Sequence, residues 1–302
     1  MSVRDHLVAP GSAGPFRAAI LQSAPCQLQA DLPTAQRLSV EFAEGLGCDD
    51  PSTAAQCLKA KRAEDFAESP WYVRLGADGM SGPATGTSML PQAAVSAIGA
   101  GKAVSVPVLI GTNRDEFRVF AAVRMRADTG AFAAEDYPAL VGEIFGGSVT
   151  EIQQQYPLPK PDGADVALEY AATVTDGVFA CPTDRLAHAL DAPVYAYEFA
   201  DSSAPAPDLG DGLPFPIGAS HALELQYLFE MGPRSHLDET QSALSEQMID
   251  YWSAFVRSGS PSAPAAPEWP ALNDDPAVGS PYMSLRPDGS RVVGDSCPVT
   301  SL

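Results

Sequence analysis

The chain has 302 residues, 45% of them hydrophobic, which is enough to form a sizeable core in one large domain or two small ones. Its formal net charge of −20, from 38 acidic and 18 basic residues, repels phosphate backbones and so excludes nucleic acid as an expected partner. No apolar run of about 18 residues or more occurs, and we therefore expect no membrane-spanning helix.

The N-terminal region contains a stretch that looks like a serine-hydrolase nucleophile turn. The first nine residues have a helical pattern without the basic start and apolar stretch of a signal peptide. In the next segment, PGSAGPFRAAILQSA (10–24), Ser12 stands among small residues. The nucleophile turn is built as G-x-S-x-G after a strand, whereas Pro10 stands two residues before Ser12 and no strand precedes it. We interpret Ser12 as a loop residue; Ser23 and Ser220 also lack the pattern, and no intact G-x-S-x-G occurs in the 302 residues.

Residues 34–46, TAQRLSVEFAEGL, predict an amphipathic helix, because apolar side chains recur on one helical face. That face carries Leu38, Phe42 and Leu46.

The five cysteines show no C-x-x-C or zinc-like spacing. Cys48 and Cys57 bracket a short loop, CDDPSTAAQC, whose Asp-Asp-Pro favours a turn that would bring the two ends together. A disulfide in an oxidising compartment and two buried thiols both fit this pattern. The other cysteines are Cys26, Cys181 and Cys297.

From about residue 76 onward the chain alternates short apolar runs with helical sequence. After a loop rich in Gly, Ser, Thr and Pro (76–92), the runs VPVLIGT (106–112) and PVYAYEF (193–199) predict buried parallel strands, with mainly helical sequence between them. Residues 239–258 predict the clearest helix, which Gly259 ends. Its apolar face contains Leu244, Met248, Tyr251, Trp252 and Phe255. Strands separated by helices indicate an α/β fold with a mostly parallel sheet, whose active groups lie at the carboxyl ends of strands.

Only four histidines can serve a histidine-dependent mechanism. His221 lies at a loop-to-helix junction between PFPIGAS and ALELQYLF, where an imidazole can be held exposed for catalysis. His188 falls in a helical pattern and reads as structural, and His6 and His236 have polar neighbours and read as surface residues. Since no pair stands at metal-ligand spacing, we expect no metal site.

Glu116 is the candidate acid, because it stands just past the end of a predicted buried strand. A surface carboxylate in a charged turn is the alternative, since Arg114, Asp115 and Arg118 surround it. The order of Glu116 before His221 agrees with the Ser, Asp or Glu, His order of α/β-hydrolase triads. In such a triad the imidazole takes the serine proton, and the carboxylate fixes its tautomer and stabilises the imidazolium.

Five stretches of sequence, two of which contain Glu116 and His221, agree with an α/β-hydrolase triad. In chain order they are GPFRAAILQSA, LGCDD…QCL, GTNRDE, GASHALELQYLF and QMIDYWSAFVRSGSPSAPAAPEWPAL. They resemble, in order, motifs of the type-B carboxylesterases, the family that includes bacterial para-nitrobenzyl-type esterases and the cholinesterases. The resemblance covers nearly the whole chain.

The resemblance implies an α/β-hydrolase fold in which residues 1–302 form a single, partial domain that lacks the family's N-terminal part. It implies Glu116 as triad acid and His221 as triad base, with the nucleophilic serine and the oxyanion loop upstream of Met1, so that the chain alone is expected to be inactive. It also implies a small-molecule carboxylic ester as substrate, no cofactor, and a Cys48–Cys57 disulfide with a secreted location; a cytoplasmic esterase with free thiols is the alternative.

The chain departs from the family pattern at two positions. Phe117 follows the acid and Ala222 follows the histidine, where the family commonly has Gly, and both changes are expected to alter the floor of the pocket. Phe117, Trp71 and Tyr72 are candidates to line an apolar pocket, with ordinary packing as the alternative. A non-catalytic, cholinesterase-like binding or adhesion protein is the alternative function.

Overall fold

The computed structural model describes residues 2–25, 29–66, 83–158, 163–206, 212–231, 237–272, 280–294 and 297. Its centre is a sheet whose strands follow one another in space in the order in which they occur along the chain. The strands are β1 (Ala19–Gln22), β2 (Val108–Asn113), β3 (Val194–Phe199), β4 (Pro281–Leu285) and β5 (Arg291–Gly294). The first four strands are parallel and β5 is antiparallel to β4. The predicted α/β fold with a mostly parallel sheet is confirmed, and both strands predicted from apolar runs are present.

Helices flank this sheet, and the longest stretch of them lies between β2 and β3. The α-helices are α1 (Ser2–His6), α2 (Leu32–Gly45), α3 (Ala54–Ala60), α4 (Ala94–Gly99), α5 (Arg118–Ala127), α6 (Tyr137–Phe145), α7 (Val149–Gln155), α8 (Gly163–Val174), α9 (Cys181–Ala189), α10 (Leu225–Leu228) and α11 (Glu239–Ser258). A π-helical turn, Thr175–Ala180, joins α8 to α9. Among the described residues, no helix combines the length and the apolar character needed to cross a bilayer.

Strand β2 lies inside the sheet and all six of its residues are buried. This explains its continuous apolar sequence, since a parallel strand covered on both faces has no side exposed to water. Gly111 is required within it, because a Cβ at this position would lie 2.3 Å from the main-chain oxygen of Tyr197 on β3. The carboxyl end of β2 is therefore held firmly against its neighbour.

Helix α11 begins and ends at the predicted residues. Asp238 accepts a hydrogen bond from the Gln241 main-chain N–H, and the Gln241 side chain accepts one from the Asp238 N–H, which completes a capping box. Gly259 ends the helix with a φ of 80°, a conformation that glycine adopts without steric cost. The predicted apolar face is confirmed as buried, and its members are Leu244, Met248, Tyr251, Trp252 and Phe255.

Helix α2 forms as predicted, but its apolar face is only partly buried. Phe42 is 40% exposed and stacks on Phe66 with ring centroids 6.2 Å apart, whereas Ala43 is the buried residue of the helix. Adjacent positions on a helix point about 100° apart, so the face that contains the small Ala43 is buried while Phe42 lies at the surface and Leu38 and Leu46 are half-buried.

Two disulfides tie the fold together. Cys48 and Cys57 are joined, which settles the alternative that the sequence left open. Cys181, at the start of α9, is joined to Cys297 across a sequence separation of 116 residues. Sequence reasoning missed this second pair, because no local turn connects two cysteines so far apart in the chain.

We expect the two disulfides to contribute unequally to stability. Loop-closure entropy grows with loop length, which gives about 5 kcal/mol for the Cys181–Cys297 bridge and about 3 kcal/mol for the Cys48–Cys57 bridge. Replacing Cys181 and Cys297 by alanine should therefore lower the free energy of unfolding in urea more than replacing Cys48 and Cys57 does. The second double variant is the matched control, and equal losses would contradict the loop-closure explanation.

Candidate active site

The acid loop, residues 114–117, connects the end of β2 to α5 and contains Glu116. The Glu116 side chain is fully buried. Its Oε1 accepts a hydrogen bond of 2.8 Å from the Asn113 main-chain N–H, and its Oε2 lies 2.6 Å from Nδ1 of His221. The structure thus brings together the two candidate site residues that the sequence singled out, 105 residues apart in the chain.

The histidine loop, residues 218–224, is hydrogen-bonded to the acid loop along its main chain. His221 donates its main-chain N–H to the carbonyl oxygen of Glu116 at 3.2 Å. Asp115 donates its N–H to the carbonyl of Ala219 at 3.0 Å, and the Ala219 N–H returns a bond of 2.9 Å to Asp115 Oδ2. These contacts hold the histidine loop beside the acid loop and so place the imidazole next to the Glu116 carboxylate.

Ser220 and Gly218 also hold the acid loop and the histidine loop together. The Ser220 hydroxyl lies 2.9 Å from the carbonyl oxygens of Asp115 and Ile217 and accepts a 3.0 Å bond from the Val119 N–H. Gly218 has a φ of +63°, and a Cβ there would lie 2.2 Å from Asp115 Oδ2. Only glycine allows the loops to approach this closely, and the Ser220 hydroxyl is committed to holding them together.

In the charged turn around Glu116, the two arginines bind one carboxylate and His221 binds the other. Arg114 and Arg118 place guanidinium nitrogens 3.2 and 3.0 Å from the Asp115 carboxylate. Glu116 is paired with His221 instead. The alternative that Glu116 is a surface carboxylate is therefore wrong, because the neighbouring arginines bind Asp115 while Glu116 points into the protein.

The His221 ring is partly open to solvent, with 34% of the side chain exposed. The rings of Phe120 and Phe179 pack against it with centroids 5.5 and 5.7 Å away. Burial lowers the pKa of His221, but the hydrogen bond and negative charge of Glu116, with a further contribution from Glu224, raise that pKa above its ordinary value. With Nδ1 facing a carboxylate, Nε2 is the ring atom suited to take and return a proton.

A second buried carboxylate, Glu224, lies behind this pair. Glu224 Oε2 accepts a 2.6 Å bond from Asn113 Nδ2, and Glu224 Oε1 accepts one of 3.3 Å from Gln22 Nε2. Asn113 Nδ2 also donates to the carbonyl of Ser220 at 2.7 Å. Burial and the nearby charge of Glu116 raise the pKa of Glu224, although the Asn113 hydrogen bond opposes this. Asn113 and Glu224 lie within the motifs that carry the family resemblance, but the sequence alone does not indicate this role for them.

The other candidate residues lie elsewhere or outside the described part of the chain. His6 is exposed, and its Nδ1 lies 2.9 Å from the Ser12 hydroxyl, away from the Glu116 carboxylate. His188 lies on α9, as predicted, with Nε2 2.7 Å from Ser280 Oγ. His236, Trp71 and Tyr72 lie outside the described residues. Among the residues that the structure describes, no group of three His, Cys, Asp or Glu could hold a metal ion.

The two departures from the family pattern have different consequences. Phe117 is buried and packs in the core, with its ring centroid 5.1 Å from that of Phe120 and 5.8 Å from that of Tyr170. Ala222 has a φ of +67°, a conformation that strains any residue with a Cβ. The position after the histidine therefore has a backbone suited to glycine, although the chain carries alanine.

The chain is similar over most of its length to known esterases and hydrolases. The profile described as "Carboxylesterase family" matches residues 1–293. The chain is similar to the acylcarnitine hydrolase of Rattus norvegicus (26% identical; 91% of this chain and 50% of the rat protein) and to the cocaine esterase of Homo sapiens (26% identical; 94% and 54%). It is also similar to the para-nitrobenzyl esterase of Bacillus subtilis strain 168 (26% identical; 91% and 54%). The chain spans about half the length of the curated relatives that it matches.

We expect Glu116→Gln to lower the pKa of His221 below its ordinary value, because the charge is lost while burial remains. In the wild type, protonation of His221 stabilises the fold below the ordinary value of 6.5, and this contribution is lost as the pH rises through the raised value. In the variant this pH dependence should reverse, because protonation of a His221 whose pKa is lowered destabilises the fold. Histidine NMR titration and urea unfolding across the same pH range measure both effects, with the exposed Glu41→Gln as control. An unchanged His221 pKa would contradict the pairing.

We expect Ala222→Gly to stabilise the chain by up to about 1 kcal/mol, because the strain of a Cβ at positive φ outweighs the extra entropy of unfolded glycine. The same change at Ala35, inside α2, should instead destabilise it by about 1 kcal/mol. Thermal unfolding of both variants tests the difference in sign. A loss of stability in both would show that the Ala222 conformation is not strained.

Proposed function

The chain belongs to the carboxylesterase family, and from this premise we propose that it is the part of a carboxylic-ester hydrolase that supplies the acid and the base of a serine-dependent triad. The observation that carries the proposal is the 2.6 Å contact between His221 Nδ1 and the buried Glu116 carboxylate. A histidine held in this way can serve as general base and then as general acid.

In the proposed reaction, a serine oxygen attacks the ester carbonyl carbon while its proton moves to Nε2 of His221. The resulting imidazolium is stabilised by Glu116, and it then protonates the alcohol oxygen as the carbon–oxygen bond of the ester breaks. Water then attacks the acyl carbon while His221 accepts its proton. The bond between that carbon and the serine oxygen breaks, His221 returns the proton to the serine, and the carboxylic acid is released. The raised pKa of His221 favours the imidazolium that this cycle requires.

We propose that the nucleophilic serine lies upstream of Met1, as does the oxyanion loop, and that residues 1–302 complete one domain with that segment. The 302 residues contain no G-x-S-x-G. The Ser220 hydroxyl is bonded to the main chain of Asp115 and Val119, and Ser12 is paired with His6. The chain alone is therefore expected to show little turnover.

The substrate class and location follow from the same premise. We propose a small-molecule carboxylic ester as substrate, since the relatives carry the names of esterases and hydrolases. We further propose an exported protein, because the structure contains two disulfides and such bonds persist in oxidising compartments.

The test begins with the in-frame DNA upstream of the Met1 codon, which is expected to encode G-x-S-x-G. Hydrolysis of para-nitrophenyl acetate is then compared between the 302-residue chain and the extended chain. We expect saturable turnover only in the extended chain, and a loss of about 10³-fold or more on His221→Gln. His6→Gln is the control histidine variant and should keep full activity.

Two results would contradict the proposal. Saturable, His221-dependent hydrolysis by the 302-residue chain would place the nucleophile within it. An upstream frame without the motif, together with specific retention of a protein partner, would favour the non-catalytic binding function instead.

A further inference from the structure

The π-helical turn between α8 and α9, Thr175–Ala180, packs against the candidate active site. Its register is shown by the Cys181 main-chain N–H, which donates to the carbonyl of Asp176 five residues earlier. A π turn holds more residues than an α turn, and such turns are rare and occur often at functional sites. Here one end of the turn contacts the acid loop and the other end contacts the imidazole.

Thr175 is the contact with the acid loop. Its side chain is buried, and Oγ1 accepts a hydrogen bond of 3.0 Å from the main-chain N–H of Phe117, the residue that directly follows Glu116. The Asn113 N–H bonds the Glu116 carboxylate from the preceding side. Because an unpaired N–H is costly in the interior, the Thr175 hydroxyl fixes the main chain immediately after the acid.

Phe179 is the contact with the imidazole. The Phe179 side chain is 2% exposed, and its ring lies 5.7 Å from that of His221 at an interplanar angle of 54°. With Phe120, it restricts the positions that the His221 ring can take while that ring is bonded to Glu116. It also keeps water from part of the ring, which is the burial that lowers the pKa of His221.

The turn itself is held from several directions. The Tyr156 hydroxyl donates a 2.6 Å hydrogen bond to the Asp176 carboxylate. Gly177 leaves room for Phe145, because a Cβ at this position would lie 2.3 Å from that ring. The disulfide of Cys181 anchors the residue that follows the turn. The side chains that face the site therefore extend from a fixed backbone.

We propose that this π turn is a positioning element for the Glu116–His221 pair, in which Thr175 sets the acid loop and Phe179 sets the imidazole. Neither residue takes part in the chemistry, and both act through the pair. Their importance for ester hydrolysis rests on the function proposed above, whereas their effect on the pair can be measured without any turnover.

The test measures the pKa of His221 in the full chain by NMR with labelled histidine, assigned by means of His221→Gln. Thr175→Val keeps the shape of the side chain but removes the acceptor, so the acid loop should shift and the His221 pKa should fall by about 1 unit. Thr175→Ser keeps the hydroxyl and should restore the wild-type value. Thr173→Val is the matched control, because the buried Thr173 hydroxyl bonds Tyr137 and the Glu169 carbonyl, away from the acid loop.

Phe179→Leu should also change the His221 pKa, but in the opposite direction. A smaller side chain admits water to the imidazole while Glu116 stays in place, so the His221 pKa should rise. A purely structural role would lower the melting temperature of each variant and leave the His221 pKa alone.

An unchanged His221 pKa in a folded Thr175→Val chain would overturn the proposal, as would an equal fall in Thr173→Val. If Thr175→Val does not fold, Thr175→Ala removes the same acceptor and is judged by the same outcomes. These results are independent of whether any form of the chain hydrolyses an ester, so the failure of one proposal can be told from the failure of the other.

Discussion

The hydrogen bond between His221 and the buried Glu116 carboxylate is the interaction on which the rest of the site depends. A carboxylate taken out of water is costly unless charged or hydrogen-bonding groups surround it. Here the Asn113 N–H satisfies one oxygen and the imidazole satisfies the other. The acid loop and the histidine loop must therefore be held together closely, and much of the surrounding structure does this.

The sheet holds the acid loop in place, and the acid loop and the histidine loop supply the contacts between Glu116 and His221. β2, between β1 and β3, delivers the acid loop at its carboxyl end. Asp115 and Glu116 are adjacent but have separate tasks: Asp115 binds the arginines and the Ala219 main chain, whereas Glu116 binds His221. Neighbouring side chains in such a turn point in different directions. Asp115 can therefore hold the two loops in place while Glu116 pairs with the imidazole.

Departures from regular structure gather around this pair. Ala222 has a positive φ next to His221, the helix beside the site contains a π turn, and Glu224 places a second carboxylate near the first. Strained backbone and buried charge persist only where the surroundings over-determine them, and they are commonest where geometry serves function. Their concentration around one histidine indicates a site selected for position rather than for stability.

The parts of the structure that follow local rules could be predicted from the amino-acid sequence. The apolar runs of β2 and β3, the 20 residues of α11 and the glycine that ends it could all be predicted, because periodicity and capping act over a few residues. Glu116 and His221 were found from motif order and family resemblance. The packing of distant segments sets which residue of α2 is buried, pairs Cys181 with Cys297, and places Thr175, Phe179 and Glu224 around the site. These contacts join residues far apart in the chain, and their geometry is set by packing, which no local pattern encodes.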